Sequence, residues 1–439
     1  MQPITASKAR IIGRLSDFLD GLIIFCTLII VNSTATTFTS QFPDFSNFSE
    51  PAWMMAGTAL FILLAIALQI KIHSLGHEFV RLWNNQKPLI IFVIFCGFTM
   101  LWSTYELASL YEFSLMLFAT LAASYFVIRF PYKKILSIIY YFGAFSIILS
   151  VVLLLTLPDY SRLNNVVFNG AWRGVFWHRN HMGSLMALFS TFYLFDMVLN
   201  WKNWRRVSVS LVLFIASSVL VFGSWSATGI IIFFVLIGHL VLGIMWLRFR
   251  DKLSRKQYYI LLGVFVGLVL VLLLNIDLIF GLLRRSSTLT GRTPIWEDML
   301  VNLWPVRPLF GYGFGAIWNQ EYYRVLIQTR HYWAYEVFFG DNGFIDILLN
   351  TGLIGLGLFL YFFGRVGINN VKLFIQHHDL GLLPPALIFI YVLWANISYS
   401  FLCEVDQFVW LLLVLSSFLP VKVLEEKITA PSKTSNPQP

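Results

Sequence analysis

Long runs of apolar residues, separated by short polar segments, fill this chain from Leu15 to Pro420. A run of roughly twenty apolar residues can cross a hydrocarbon core of about 30 Å as a helix. We therefore predict an all-α polytopic membrane protein with about twelve transmembrane helices. The predicted spans are 15–33, 51–70, 88–103, 107–129, 134–157, 181–199, 207–223, 229–248, 258–281, 342–364, 385–403 and 407–421.

The composition agrees with this fold class, because 58% of the residues are apolar and only 12% are charged. The net charge of +9 comes from basic residues scattered through short loops. This distribution is typical of membrane topology signals and not of a nucleic-acid partner. We expect one transmembrane domain over 1–426, with a retained first helix, and a disordered cytoplasmic tail over 427–439.

Lysine and arginine are distributed differently on the two predicted faces of the membrane. The loops on the side of the termini hold 22 of the 31 basic residues, which predicts that both termini are cytoplasmic. The other nine lie in the two long opposite loops, 158–180 and 282–341, and all are arginine: Arg162, Arg173, Arg179, Arg284, Arg285, Arg292, Arg307, Arg324 and Arg330.

Arginine presents a planar fork of donors that can bind phosphate bidentately, and it stays charged when partly desolvated. The arginine-only loops therefore predict an anionic, phosphorylated ligand on the non-cytoplasmic face. Pairing with lipid headgroups or with acids of the same loops is the alternative. The loop 282–341 is too long for a simple connector, and its Trp, Tyr, Phe and Gly content predicts a packed cap with short helices.

The first candidate segment, 169–183, enters the sixth span with two arginines, two histidines and an asparagine: Arg173, His178, Arg179, Asn180 and His181. A helix N-terminus favours anions through its free N–H groups, so an anion site is expected here. The spacing of the two histidines also suits metal ligands, but the sequence offers no third ligand nearby. We predict neither a metal nor a cofactor, and no disulfide among Cys26, Cys96 and Cys403.

Two further segments carry polar residues suited to sugar or phosphate. Ser226 and Thr228 lie in a short turn of small residues that could bind a ligand or cap the next helix. Thr293 precedes Pro294, which predicts a helix N-cap that aims Arg292 at the positive helix end.

The remaining candidates follow in the second half of the cap. Glycines over 311–315 allow either a close ligand approach or a tight turn. Asp341 is expected to cap the tenth span, and Asp346 lies deep enough in it to need a partner. Gly352 and Gly355 are expected to permit close helix packing.

These segments, in this order, resemble the bacterial O-antigen ligase and polymerase superfamily, most closely its exopolysaccharide-production polymerase-like branch. The resemblance covers 162–360, and more loosely 101–129 through Trp102 and Ser103. It implies a metal-independent glycosyltransferase that uses undecaprenyl-diphosphate-linked glycans at the periplasmic face of the inner membrane. It also implies that Arg173 or Arg179, together with Arg292, holds the donor diphosphate.

The chain departs from that family pattern at one informative position. Ligases that act on lipid A core usually carry a His-Asn pair where this chain has Asp341 and Asn342. We therefore predict a polymerase, with a ligase as the alternative and a transporter or flippase of an anionic substrate as the alternative from another class.

We assign the roles as follows. The acceptor hydroxyl needs a proton acceptor, for which Asp341 comes first and His331 second, while Arg292 stabilises the leaving group. The predicted substrate-binding residues are Arg173, His178, Arg179, Asn180, Ser226, Thr228, Arg292 and Asn342. The expected partners are the lipid-linked oligosaccharide donor, a glycan acceptor, membrane lipid, a chain-length regulator and a flippase.

Topology mapping tests the charge argument directly. Reporter fusions at Arg292 are expected to report the non-cytoplasmic side, and fusions at Arg250 the cytoplasmic side, because lysine-bearing loops are retained inside. A cytoplasmic signal at Arg292 would remove the basis for an external phosphate site.

Overall fold

The computed structural model describes residues 6–31, 50–163, 169–249, 292–331, 339–397, 399–402 and 407–429, with a few more between 252 and 267. Over these ranges the chain is almost entirely helical. An isolated antiparallel bridge between Arg162 and Trp172 is the one β pairing of the described residues. The protein is therefore an all-α polytopic membrane protein, as predicted.

The first half of the chain forms nine helices, eight of which overlap predicted spans. They are α1 (Ala6–Val31), α2 (Glu50–Ile72), α3 (Gly76–Asn84), α4 (Lys87–Phe98), α5 (Glu106–Arg129), α6 (Tyr132–Thr156), α7 (Arg179–Leu199), α8 (Trp204–Gly223) and α9 (Ala227–Phe249). The first begins at Ala6, nine residues before the predicted start, and the short helix Gly76–Asn84 lies where a loop was predicted. A 3₁₀ turn, Thr99–Trp102, extends α4, and one helical turn, Pro158–Ser161, follows α6.

The described second half contributes two short helices, α10 (Arg292–Asp298) and α11 (Glu321–Arg330), and three long ones, α12 (Gly343–His377), α13 (Pro384–Ile397) and α14 (Phe408–Thr429). One helical turn, Ala316–Asn319, precedes α11, and a 3₁₀ turn, Leu380–Leu382, precedes α13. The helix α10 continues as π-helical and 3₁₀ turns to Val306. Short helices within the predicted cap are therefore confirmed. The helix α12 runs beyond the predicted end at 364, and α13 stops before the predicted end at 403.

Eight described helices are long and apolar enough to cross a membrane, and a ninth span arises if the bent pair α2 and α3 counts as one. The predicted span 258–281 lies largely outside the described residues, so the total of twelve stays a prediction.

Two helices form the centre of the bundle. Every side chain from Arg179 to Tyr193 in α7 is buried, and so is every one from Phe408 to Pro420 in α14. A helix that is covered on all sides belongs to the interior of a bundle. The helix α7 packs between α8 and α9, while α14 packs against α5 and α13. The candidate segment before α7 is therefore attached to the best-buried helix of its half.

The helix α12 is broken at Gly352, whose backbone adopts φ 67° and ψ −172°. The break leaves backbone groups without helical partners, and a loop supplies them. Leu353 N donates to Pro308 O at 2.9 Å, and Tyr312 N donates to Leu349 O at 2.9 Å. Unpaired backbone groups are costly in a membrane protein, so the loop and the broken helix stabilise each other. Gly352 was expected to allow helix packing; it instead admits this loop.

The glycines of the same loop serve turns packed against protein. Gly311, Gly313 and Gly315 all have positive φ values of 69°, 109° and 72°. A Cβ at Gly313 would lie 2.4 Å from Ser103 Oγ, and one at Gly315 would lie 2.4 Å from Glu112 Cγ. The tight-turn alternative is thus supported over ligand approach.

Substitution of Gly352 by Ala is expected to destabilise the protein by on the order of 3 kcal/mol, because positive φ and overpacking each cost about 1–3 kcal/mol. The added Cβ would lie 2.2 Å from the Leu309 carbonyl. Thermal unfolding in detergent would measure the loss. Gly357→Ala is the control, since Gly357 lies in the same helix facing open space. Equal melting temperatures for the two variants would contradict the conclusion that Gly352 is needed for the loop to bond to the broken helix.

Candidate functional site

The entry into α7 carries the first group of predicted site residues. His178 is the N-cap, and its Nδ1 accepts a hydrogen bond from Asn180 N at 3.2 Å. Arg179 is buried, and its Nη1 donates to Trp225 O. Burial, and next the charges of Arg179 and Arg292, lower the pKa of His178 well below its usual value. The imidazole is therefore neutral, and the positive charge here comes from arginine.

The turn between α8 and α9 packs directly on this helix entry. Ser226 Oγ donates to Asn180 Oδ1 at 2.9 Å and accepts from Gly229 N at 3.1 Å. A Cβ at Gly183 would lie 2.6 Å from Ser224 Oγ, so only glycine allows this contact. Ser226 therefore caps α9, one of the two roles left open, and also orients Asn180. Thr228 is buried beside it.

Arg173 braces the loop before α7. Its Nε donates to Tyr160 O at 2.7 Å and its Nη1 donates to Trp177 O at 3.3 Å. The guanidinium also lies 4.9 Å from the centroid of the Tyr160 ring. Burial lowers the pKa of Arg173. Its Nη2 group makes no hydrogen bond within the described part of the chain, so a donor pair remains for a ligand.

The helix α10 begins at Arg292 itself, so the prediction that Thr293 is its N-cap is wrong. Thr293 and Pro294 instead occupy the first turn. The Arg292 side chain is 10% exposed, and its Nε donates to Asp341 Oδ2 at 3.0 Å. Trp296 Nε1 donates to Gly340 O at 2.7 Å and ties the same helix to the Asp341 loop.

The cap of α12 is Asn342, and the prediction that Asp341 fills this role is wrong. Asn342 Oδ1 accepts from Phe344 N at 3.0 Å and from Ile345 N at 3.2 Å. Asp341 precedes it with φ 53°, a left-handed conformation that aspartate tolerates. This geometry turns the carboxylate away from the helix end and toward Arg292. Asp341 is thereby available for chemistry rather than for capping.

Asp346 has the partners that its depth demands. It is fully buried, and its Oδ1 accepts from Trp318 Nε1 at 2.8 Å. Gly340 N also lies 3.2 Å from both carboxylate oxygens. Asp346 therefore holds the cap and the Asp341 loop onto α12, which is a structural role.

His331 belongs to a different cluster at the far end of α10. Its Nε2 lies 3.5 Å from Asp298 Oδ2, and Arg330 pairs with Asp298 Oδ1. At about 1.5 Å per residue, Asp298 lies roughly 9 Å along the helix from Arg292. Arg330 therefore pairs with an acid of its own loop, which was the alternative to binding phosphate. The ranking of Asp341 before His331 remains a prediction, and this separation favours it.

A fifth segment, 396–402, completes the site and was missed by sequence reasoning. Asn396 Oδ1 accepts from Phe401 N and Leu402 N, both at 3.0 Å, and so shapes the turn after α13. Tyr399 is fully buried; its carbonyl accepts from Gly343 N at 3.2 Å, and its ring stacks on His178. Ser400 Oγ accepts from Asn342 N at 3.0 Å. No motif marks this segment, because its polar residues lie within an apolar run.

Together these segments bring three guanidinium groups to one place. The charges of Arg179 and Arg292 interact with each other, and the Asp341 charge interacts with Arg179. The charges of Arg173 and Arg292 both reach His178. Trp177 meets Phe339 edge to face, with ring centroids 5.6 Å apart, and so joins the loop before α7 to the Asp341 loop. The arrangement can bind a multiply charged anion.

Within the described ranges, no three His, Cys, Asp or Glu side chains form a group that could hold a metal. Cys26 and Cys96 are free thiols, while Cys403 lies outside the described residues. Arg284 and Arg285 of the second arginine-bearing loop also lie outside them.

The fold defines an integral membrane protein in which a cluster of arginines lies at the ends of several helices. Residues 211–360 match a family model described as O-antigen ligase. The exopolysaccharide production protein ExoQ of Rhizobium meliloti (strain 1021) is 34% identical over 143 residues, which is 30% of this chain and 31% of that protein. These matches confirm the resemblance to the O-antigen ligase and polymerase superfamily.

The family match is confined to the middle of the chain. It contains Ser226, Thr228, Arg292, His331 and Asp341. Residues of the segment before α7 and of the segment 396–402 lie outside it and join the site only through the fold.

Proposed function

We propose that this protein is a membrane glycosyltransferase that polymerises undecaprenyl-diphosphate-linked oligosaccharide repeats of O-antigen, capsule or exopolysaccharide. The reaction takes place at the periplasmic face of the inner membrane and needs no metal. The match to the O-antigen ligase family model and the name of the exopolysaccharide relative support this class of activity. The observation that carries the proposal is the cluster of three arginines against one carboxylate.

The cluster holds more positive charge than its own acid can neutralise. Arg173, Arg179 and Arg292 are all largely withdrawn from solvent, and Asp341 is the one carboxylate that the described contacts give them. Like charges close together in a poorly solvated site destabilise one another unless an anion lies between them. A diphosphate supplies at least two negative charges and oxygens for several guanidinium donors. The site therefore suits a lipid diphosphate better than a single carboxylate.

Arg292 has the geometry of a diphosphate ligand. Only its Nε is occupied, by Asp341, and its Nη1 and Nη2 groups make no hydrogen bond to the described residues. Both groups can therefore donate side by side to one phosphate. Lysine could supply the charge at this position but not the paired donors.

Transfer breaks the bond between the anomeric carbon of the donor glycan and the diphosphate oxygen. The diphosphate leaves with the electron pair, and the acceptor hydroxyl oxygen forms the new glycosidic bond. The hydroxyl proton passes to the Asp341 carboxylate, which acts as the general base. Fixed guanidinium groups stabilise the negative charge that develops on the leaving group.

The ion pair between Arg292 and Asp341 links donor binding to acceptor activation. Arg292 Nε donates to Asp341 Oδ2 and so competes with the acceptor hydroxyl for this oxygen. A bound diphosphate competes for Arg292 and releases the carboxylate toward the acceptor. Asp341 is 31% exposed in its side chain, so an acceptor can reach it.

A ligase that moves finished polymer to lipid A core or another acceptor is the second candidate, and the match to an O-antigen ligase family model favours it. Deleting the gene separates the two activities. Single repeats on lipid A core indicate a lost polymerase, whereas accumulated lipid-linked polymer indicates a lost ligase.

Arg292→Ala is expected to lower turnover about 10²- to 10³-fold, the usual effect of removing one donor to a developing oxyanion. Arg173→Ala is expected to act in the same direction. Polymer formed from lipid-linked repeats by purified protein in nanodiscs would be measured on gels. Arg162→Ala is the matched control, because Arg162 lies in the same loop as Arg173 but is exposed. Normal polymer yield in both site variants would exclude the diphosphate clamp, by which we mean binding of the donor diphosphate by Arg173, Arg179 and Arg292.

Asp341→Asn is expected to lower turnover about 10²- to 10⁴-fold through loss of the general base. The same change should leave binding of undecaprenyl diphosphate equal or tighter, because Arg292 loses a competing anion. Binding would be followed by the thermal shift that the lipid induces. Glu297→Gln removes an exposed charge on α10 and should change neither quantity. Full turnover in Asp341→Asn would reduce Asp341 to an ion-pair partner.

A further inference from the structure

His178 presents its two ring nitrogens to different surroundings. Nδ1 accepts the hydrogen bond from Asn180 N at 3.2 Å, and the Tyr399 hydroxyl lies 3.5 Å from the same atom. A ring nitrogen that accepts an N–H bond carries no proton of its own. Nε2, by contrast, makes no hydrogen bond to any residue that the structure describes. The contacts of Asn180 N and of the Tyr399 hydroxyl with Nδ1 together favour the neutral ring whose proton lies on Nε2.

The surroundings favour the neutral ring. The charged and titratable groups that face His178 are Arg179 and His181 on α7, Arg173 on the preceding loop and Arg292 on α10. Burial lowers the pKa of His178 most, and the positive charges of the three arginines lower it further. At neutral pH the ring is therefore uncharged, and its proton lies on Nε2.

Tyr399 is held over the His178 ring. The two rings are nearly parallel, at 13°, with centroids 5.7 Å apart. Phe339 packs edge to face on the Tyr399 ring, with ring centroids 5.0 Å apart. The Tyr399 carbonyl accepts a hydrogen bond from Gly343 N. The tyrosine is thus fixed by its ring and its backbone, and its hydroxyl has a defined position near Nδ1.

We propose that His178 is an uncharged hydrogen-bond donor, through Nε2–H, to an oxygen of the donor diphosphate, and that Tyr399 is a positioning residue that maintains this tautomer. The inference rests on the proposed function for the identity of the ligand. A neutral donor adds a hydrogen bond without adding a fourth positive charge to the arginine cluster. It also transfers no proton, so the diphosphate leaves as the anion.

Two substitutions of His178 separate donation from capping. Asparagine reaches only as far as Nδ1 and is a good N-cap, so His178→Asn keeps the cap and loses the donor. Glutamine reaches as far as Nε2, so His178→Gln keeps a donor and weakens the cap. We expect turnover of His178→Gln to stay within about 10-fold of the native value, and turnover of His178→Asn to fall about 100-fold or more. His178→Asn should nevertheless melt at a higher temperature than His178→Gln, because it keeps the cap. Higher turnover in His178→Asn, or equal losses in both variants, would overturn the proposal.

The tautomer can be observed without any glycan substrate. Protein labelled with ¹⁵N-histidine would be examined by solid-state NMR, and the His178 signals assigned by their absence in His178→Gln. We expect an unprotonated Nδ1 and a protonated Nε2 from pH 6 to 8. A protonated Nδ1 in the native protein would exclude the inference even if the diphosphate clamp stands. A different result would contradict the proposed function alone: the expected His178 spectrum together with a normal polymer yield in Arg292→Ala.

Tyr399→Phe keeps the stacked ring and removes only the hydroxyl. We expect a mixture of tautomers in its spectrum and a decrease of about 10-fold in turnover, with little change in melting temperature. Tyr391→Phe is the control, since Tyr391 is another fully buried tyrosine whose hydroxyl lies 3.4 Å from Ser184. Its spectrum should match that of the native protein. A native spectrum in Tyr399→Phe would show that Tyr399 does not set the tautomer.

Discussion

Backbone hydrogen bonding within the bundle is the constraint on which this architecture depends. Hydrocarbon offers no water to backbone groups, so each departure from a helix must be completed by another segment. The break at Gly352 is completed by the loop 308–313. The start of α12 at Asn342 is likewise tied to Ser400 and to the carbonyls of Ile397 and Tyr399. The site is built from these segments. Its side chains are therefore held in place by the same hydrogen bonds that satisfy the backbone groups at the ends and interruptions of the helices.

This dependence explains why the site gathers residues that are far apart in sequence. Arg292 and Asp341 are separated by 49 positions, and His178 and Tyr399 by 221. Each member lies at or just before the start of a helix or in the turn that follows one. Positive charge therefore accumulates at the helix ends of one face of the bundle.

Most of the fold could be predicted from the sequence, because apolar runs of about twenty residues have few other uses. The charge pattern predicted an anionic ligand for the arginine-bearing loops, whereas the choice of Arg173 or Arg179 together with Arg292 came from the resemblance to the family. Helix caps were harder to predict. Asn342, and not Asp341, is the N-cap of α12 because Asp341 adopts a positive φ, which the sequence does not reveal. Tyr399 could not be found at all, because a single tyrosine in an apolar stretch has no distinguishing pattern. Its role arises only from the proximity of α13 and α7.

The interruption of α12 divides it into a short piece, 343–351, and a long membrane-crossing piece beyond Gly352. The short piece is bonded to the 308–313 loop, and through Asp346 to Trp318. The long piece is bonded to the same loop, because Leu353 N and Ile354 N donate to Pro308 O and Leu309 O. The loop therefore bridges the interruption and fixes the short piece, with Asp341 just before it, relative to the membrane-crossing piece.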